Sequence, residues 1–163
     1  LDTKIVGSED VPFNIEVFGK AKKVVYVNEC LIHYWMENEN SLTKNHKNTL
    51  FPRFKNLYQW IKEYNQKQHD NELYDQAVEN RFALSLINNV MSISSFRNTA
   101  SVTTKIKDIN IILSDEMYSS SLNNLQFNYL PKQWKLFFKL ARLKQGFILY
   151  LIAVLYFKTK HNN

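Results

Sequence analysis

Two adjacent carboxylates near the start of the chain, Glu9 and Asp10, are the side chains best suited to chemistry. They precede an apolar run in which Val11 and Ile15 stand at helical spacing and Pro12 falls where a helix start tolerates proline. A carboxylate at a helix start can act as the general base that takes a proton from an attacking hydroxyl. It can equally cap the helix and complement the helix dipole. The spacing by itself leaves both interpretations open.

Several other kinds of site are excluded by the composition of the chain. The 163 residues include a single cysteine, Cys30, which excludes a disulfide framework and a multi-cysteine zinc or iron–sulfur site. The three glycines are isolated, so the sequence has no glycine-rich phosphate-binding loop. The four histidines lie far apart and form no ligand or triad pattern. Nucleic-acid binding is not predicted, because the clustered lysines alternate with large apolar residues.

The elements expected to position the carboxylates are a helix and two β-rich runs within residues 1–45. The helix follows Asp10 and is expected to end near Gly19. Residues 23–27 and 30–35 are rich in β-branched and aromatic residues, so they predict a short hairpin or two edge strands. An edge strand without a partner can pair with a second copy of the chain, which makes a homodimer one expectation.

Residues 46–130 predict a packed helical bundle. Apolar side chains recur at three- and four-residue steps in four stretches, which lie near residues 51–64, 73–87, 106–113 and 117–127. Asp70 is the expected cap of the second of these helices. Only three glycines and three prolines occur in the chain, which favours long helices over many short strands. The predicted fold class is therefore mainly α, a helical bundle with a short β element near the N-terminus.

The basic segment, residues 131–163, carries the net positive charge. It has seven Lys or Arg and no Asp or Glu, whereas the first 130 residues have 14 positive and 15 negative side chains. Its uncharged run 146–157 would span about 18 Å as a helix, short of the ~30 Å hydrocarbon core. We therefore expect it to lie in the interface of a membrane, or alternatively to pack back onto the bundle. The residues predicted to contact the membrane are Lys132, Trp134, Lys135, Phe138, Lys139 and Arg142.

Residues 7–44 contain an ordered series of short motifs. A Glu-Asp pair and a Phe stand at an apolar helix, then comes a run of the type A.KV..V...LY.Y, and then a polar turn ending in S.T. The matching residues are Glu9, Asp10, Phe13, Ala21, Lys23, Val24, Leu31, His33, Tyr34, Ser41 and Thr43. In this order, the series resembles the C-terminal end of the catalytic domain of bacterial family 2 glycosyltransferases.

The resemblance implies a GT-A fold, an inverting reaction, a nucleotide-sugar donor and a divalent metal ion, Mn²⁺ or Mg²⁺. It gives Asp10 the role of the base that deprotonates the acceptor hydroxyl. It places Glu9, His33, Tyr34 and Trp35 on the acceptor side of the cleft. The metal- and nucleotide-binding motif of the family lies upstream of the Glu-Asp pair. We therefore expect the donor site before Leu1 and no metal site in this chain.

The predicted function follows from this resemblance. Residues 1–45 would end a catalytic domain, residues 46–130 would form a helical extension, and the basic segment would be an amphipathic and apolar tail. The complete enzyme would transfer a sugar to a glycan or lipid-linked surface-polysaccharide acceptor, in the cytoplasm and peripheral to the inner membrane. This chain alone would be inactive. The alternative is a non-catalytic helical module that tethers a partner to the membrane.

Overall fold

A computed structural model describes residues 10–32, 50–68 and 71–161, and this part of the chain contains seven α-helices. The mainly helical fold expected from the sequence is confirmed. In chain order, the helices are α1 Asp10–Lys20, α2 Leu50–Gln68, α3 Glu72–Ser94, α4 Val102–Ser114, α5 Glu116–Asn124, α6 Lys132–Arg142 and α7 Gly146–His161.

Side-chain caps fix the starts of three central helices. Asn71 caps α3, Ser101 caps α4 and Asp115 caps α5, each by accepting a hydrogen bond from a backbone N–H of the first turn. The cap of α3 is therefore Asn71, whereas Asp70, which the sequence suggested, lies outside the described residues. Asp115 also forms an ion pair with Lys55 at 2.5 Å, which ties α2 to the start of α5.

The core of the bundle is organised around α3, which packs against α2, α4, α5 and α7. Its buried Phe82 stacks on Tyr58 of α2 and on Tyr118 of α5, with ring centroids 4.2 Å apart in both pairs. Burial of each large apolar side chain contributes about 1.5–3 kcal/mol. The basic segment supplies part of the same core through Phe137, Phe138, Ala141, Leu149 and Ala153.

The turn between α6 and α7 sets the direction of the last helix. Lys144 has a positive φ of 53°, and the Gln145 N–H donates to the carbonyl of Leu140 at 3.0 Å, which closes the end of α6. Gly146 then begins α7 where α7 passes close to α4. A Cβ atom at this position would collide with the side chain of Asn110, so glycine permits the close approach.

The predicted strand pair near the N-terminus is not seen in the described residues. Residues 21–32 are irregular, and the end of the second run, residues 33–35, lies outside the described residues. A β-rich sequence becomes a strand only where its backbone groups pair with a neighbour. No neighbouring strand pairs with residues 21–32 in the described part of the chain, so the strand expected over 23–27 is not seen there.

Candidate functional site

Asp10 is the first residue of α1, and its side chain is exposed. The helix rests on the bundle through Val11 and Ile15, which pack against the core. This placement leaves the carboxylate open to a reacting group at the positive end of the helix dipole. The four residues predicted on the acceptor side lie outside the described residues, and their placement stays a prediction: Glu9, His33, Tyr34 and Trp35.

Apolar side chains that the bundle does not cover extend from α1 into the irregular segment after it. We call this set the N-terminal apolar surface. Each of its members is between 45% and 85% exposed. Exposed apolar sets of this size mark surfaces that bind another body. The members are Phe13, Val17, Phe18, Val24, Val25, Tyr26, Val27, Leu31 and Ile32.

The part of the chain that the structure describes does not hold the ligands for a metal ion. No three His, Cys, Asp or Glu side chains in it come together as a metal site requires. The divalent ion that the resemblance implies is expected outside this chain, and that expectation stays a prediction.

The predicted membrane contacts on α6 divide into two groups. Lys132 and Lys139 are exposed, and Trp134 and Lys135 are partly buried. Phe138 is 0% exposed and belongs to the core, so the membrane contact predicted for Phe138 is wrong. The sequence placed it on the broad apolar face of α6, and that face packs on the bundle.

Arg142 links α6 to the end of α5. Its guanidinium donates hydrogen bonds to the carbonyls of Leu122 at 2.7 Å, Asn123 at 3.0 Å and Leu125 at 3.0 Å. It also lies 4.2 Å from the ring centroid of Phe127. Burial lowers the pKa of Arg142 from its ordinary value, and an arginine still keeps its charge at neutral pH. Because these bonds direct the guanidinium to the end of α5, Arg142 caps that helix, and its membrane contact stays a prediction.

The exposed side of α7 is a surface that the sequence analysis did not single out. Leu149 and Ala153 face the core, while Phe147, Leu151 and Leu155 are 55%, 41% and 61% exposed. We call these last three, with the neighbouring Ile148, the α7 outer face. The four-residue spacing of 147, 151 and 155 could have identified this stripe. Because every residue of the run is apolar, however, the sequence shows no difference between the exposed stripe and the side that faces the core.

Lysines stand at both ends of the α7 outer face. Lys144 precedes it and Lys158 follows it, and both are exposed. Lys132 and Lys139 add exposed positive charge from α6, and no acidic residue occurs anywhere in the basic segment. An apolar stripe with flanking lysines suits the interface of an anionic membrane. In the described part of the chain, none of the helices combines the length and the apolar character that crossing a membrane requires.

A cavity of about 310 Å³ lies where α1 crosses α2 and α3. Ser85 lines this cavity, and its hydroxyl forms a hydrogen bond with the hydroxyl of Tyr118. The Tyr118 hydroxyl also accepts a hydrogen bond from Asn89 Nδ2 at 2.8 Å. Burial raises the pKa of Tyr118, because the interior disfavours the phenolate. This trio packs into the core and keeps its polar atoms satisfied. The residues that line the cavity come from three helices, so no single stretch of the sequence predicts it.

Comparison of the chain with protein-family models, with characterised proteins and with solved structures found no match. The resemblance to family 2 glycosyltransferases therefore rests on the motifs in residues 7–44. Three features of the described structure bear on function: the exposed Asp10, the N-terminal apolar surface and the α7 outer face.

Proposed function

We propose that this chain is the C-terminal part of a glycosyltransferase that moves a sugar from a nucleotide-sugar donor to a surface-polysaccharide acceptor. The observation that carries the proposal is the N-terminal apolar surface. The described part of the region that resembles a catalytic domain, residues 10–32, leaves nine large apolar side chains exposed. Such exposure is expected if residues 10–32 belong to a second body, and the bundle is the extension attached to it.

The exposure of residues 24–27 supports this assignment. These four side chains, three valines and a tyrosine, are between 51% and 84% exposed. Such residues are favoured on a pleated, half-buried surface, and their exposure as an irregular segment leaves apolar area in water. A catalytic domain of the GT-A type contains a sheet that would supply the missing neighbour. Pairing with that sheet would also satisfy the backbone groups of the segment.

In the proposed reaction, Asp10 acts on the acceptor. A sugar hydroxyl is a weak nucleophile until its proton is removed, and the exposed carboxylate at the start of α1 can receive that proton. The acceptor oxygen then bonds to the anomeric carbon as the bond from that carbon to the nucleoside diphosphate breaks. Attack in line with the leaving group inverts the anomeric carbon, and a held geometry lowers the barrier.

Replacement of Asp10 tests this function in the complete gene product. Asp10→Asn removes the base and keeps the shape, so transfer to a lipid-extract acceptor should fall by about 10²–10⁴-fold. Donor binding should stay unchanged, because the donor site lies elsewhere. Glu16→Gln, an exposed carboxylate on the same helix, is the control and should keep full activity. Near-native turnover of Asp10→Asn would assign Asp10 to helix capping and contradict the proposal.

A second candidate function, a non-catalytic module that tethers a partner to a membrane, is favoured by the α7 outer face. The face exposes apolar side chains between Lys144 and Lys158, in a segment with no acidic residue. Each lysine near an anionic surface contributes about 1 kcal/mol, and insertion of the apolar side chains adds to this. The same surface would hold a glycosyltransferase on the membrane, so only the Asp10 experiment separates the two functions.

Vesicle flotation tests the membrane contact. The chain should float with phosphatidylglycerol vesicles, much less with phosphatidylcholine vesicles, and less at high salt. Leu151→Glu and Leu155→Glu place a carboxylate on the α7 outer face and should abolish flotation. Leu73→Glu is the matched control, because Leu73 is 81% exposed on α3. Equal flotation of all three variants, or none by the native chain, would contradict this function.

A further inference from the structure

The walls of the cavity between α1, α2 and α3 are mostly apolar. Phe54, Leu57 and Ile61 of α2 form one side, and Val11 and Ile15 of α1 lie across it. Its volume of about 310 Å³ is at the lower end of the ~300–1,000 Å³ typical of ligand sites. A space of this size and lining suits one apolar chain.

The charged residue that lines the cavity belongs to α3. Ala77, Arg81, Ser85 and Asn88 follow one another at four- and three-residue steps, so they share a stripe along the helix. Arg81 is the one charged side chain among the lining residues, and it is exposed at the mouth. No Asp or Glu in the described part of the chain forms an ion pair with Arg81. The mouth is therefore positive and the interior is apolar.

The Ser85 hydroxyl, on the α3 side of the cavity, already has partners within the protein. The Ser85 hydroxyl donates to the carbonyl of Phe82 at 2.6 Å and also bonds the hydroxyl of Tyr118. A polar ligand group placed there would compete with these bonds and lose its own hydration. The interior thus favours a hydrocarbon, and the mouth favours an anion.

We propose that this cavity binds a single-chain anionic amphiphile, with its hydrocarbon chain between α1, α2 and α3 and its anionic headgroup at Arg81. The charge complementarity at the mouth selects an anionic headgroup over a neutral or cationic one. The site is separate from the α7 outer face, because none of the residues of that face lines the cavity. The inference does not depend on glycosyl transfer, since it concerns binding alone.

Titration calorimetry with decyl phosphate, kept below its micelle-forming concentration, tests the proposal on the 163-residue chain. We expect saturable binding of one molecule, weaker binding of decanol, and none of inorganic phosphate or decyltrimethylammonium. Ala77→Phe should fill the cavity and weaken decyl phosphate binding at least tenfold. Since Ala77 is exposed, the variant should keep its fold, which a circular dichroism melt verifies.

Two further variants separate the headgroup from the chain. Arg81→Gln should weaken decyl phosphate binding about two- to fivefold, as expected for an exposed charge pair, and leave decanol binding unchanged. Arg97→Gln and Ala21→Phe make the same changes at exposed positions outside the cavity and should bind normally. Binding that is unaffected by Ala77→Phe would place the amphiphile on the basic surface of α6 and α7. That result, or no binding at all, would overturn the proposal.

Discussion

Tyr118 of α5 contacts α3 through its buried hydroxyl and its ring, and α2 through its ring. The residue is 0% exposed, and its hydroxyl bonds Ser85 and Asn89 of α3 while its ring stacks on Phe82. On the opposite side, the ring also contacts Phe51 of α2 at 5.7 Å between centroids. Buried polar groups stabilise a fold only when they are paired, and these are. The core therefore depends on this position for both packing and polar satisfaction.

The pH dependence of stability should reveal the burial of Tyr118. Its folded-state pKa is raised above the unfolded value near 10, so its contribution is complete below pH 10 and is lost as pH rises further. Between pH 9 and pH 11, the free energy of unfolding of the native chain should fall about 1 kcal/mol more than that of Tyr118→Phe. Urea denaturation at pH 9, 10 and 11 measures this difference.

The control for this measurement is Tyr129→Phe, because Tyr129 is 85% exposed. It should follow the native pH dependence. At pH 7, Tyr118→Phe should itself be about 1–2 kcal/mol less stable, since it removes two hydrogen bonds. If the free energy of unfolding changed equally with pH in the native chain and in Tyr118→Phe, the raised pKa of Tyr118 would be contradicted.

At the scale of elements, α5 and α6 are held together by an arginine cap. The last carbonyls of a helix have no partner within the helix, and Arg142 supplies three donors to those at the end of α5. The start of α5 is fixed by Asp115, which also pairs with Lys55. Charged side chains from neighbouring helices thus secure both ends of this short helix.

Arg142→Lys should destabilise the bundle by about 1–2 kcal/mol. Lysine keeps the charge, but its donors all lie on one nitrogen, so it cannot reproduce the bonds that two guanidinium nitrogens make to the three carbonyls. The estimate takes the strength of charged hydrogen bonds and reduces it for partial exposure. Lys139→Arg, an exposed change on the same helix, is the control in urea denaturation. Equal midpoints for the two variants would show that the cap contributes nothing.

At the scale of the whole molecule, the basic segment is structural as well as charged. One face of α7 completes the core beside α3 and α4, and the other face is exposed. The segment thus packs into the core, which is one of the two roles that the sequence offered, and membrane contact by its exposed face stays a prediction. The N-terminal apolar surface is a second exposed apolar set, carried on α1 and residues 21–32.

Deletion of residues 131–163 should abolish cooperative unfolding. The deletion removes buried side chains worth about 1.5–3 kcal/mol each, against a total stability of about 5–15 kcal/mol for a typical domain. Phe138→Ala should cost about 3–5 kcal/mol, whereas Phe147→Ala on the α7 outer face should cost little. Circular dichroism during a urea titration measures all three. A shortened chain that still unfolds cooperatively would show that the bundle does not need the segment.

The 163-residue chain alone should bind no nucleotide sugar. If the glycosyltransferase assignment is correct, the donor and metal sites belong to the domain upstream of residue 1. Calorimetry with UDP- and GDP-sugars plus Mn²⁺ should therefore show no heat of binding. Micromolar affinity for any of them would contradict the division of the enzyme that we propose.

The sequence by itself determined the helices and their approximate limits. Three- and four-residue apolar spacing in 51–64, 73–87 and 106–113 predicted α2, α3 and α4, because the pitch of a helix is a local property of the chain. It also suggested Asp10 as a candidate base, because the motif that contains Asp10 is recognised from residue types that stand close together in the chain. The cap of α3 was displaced by one residue, since neighbouring Asn and Asp side chains suit the position equally.

Only the tertiary structure decided which surfaces are free. Phe138 and Phe147 are the same residue type in the same segment, yet one is 0% and the other 55% exposed. In the sequence, Arg142 is one more basic residue of its segment. In the structure it caps carbonyls at the end of α5, which lie 17 to 20 residues earlier in the chain. Residues 23–27 have strand composition and pair with no strand among the residues that the structure describes. Periodicity reports the geometry of a single element, whereas burial and pairing depend on what distant parts of the chain place against it.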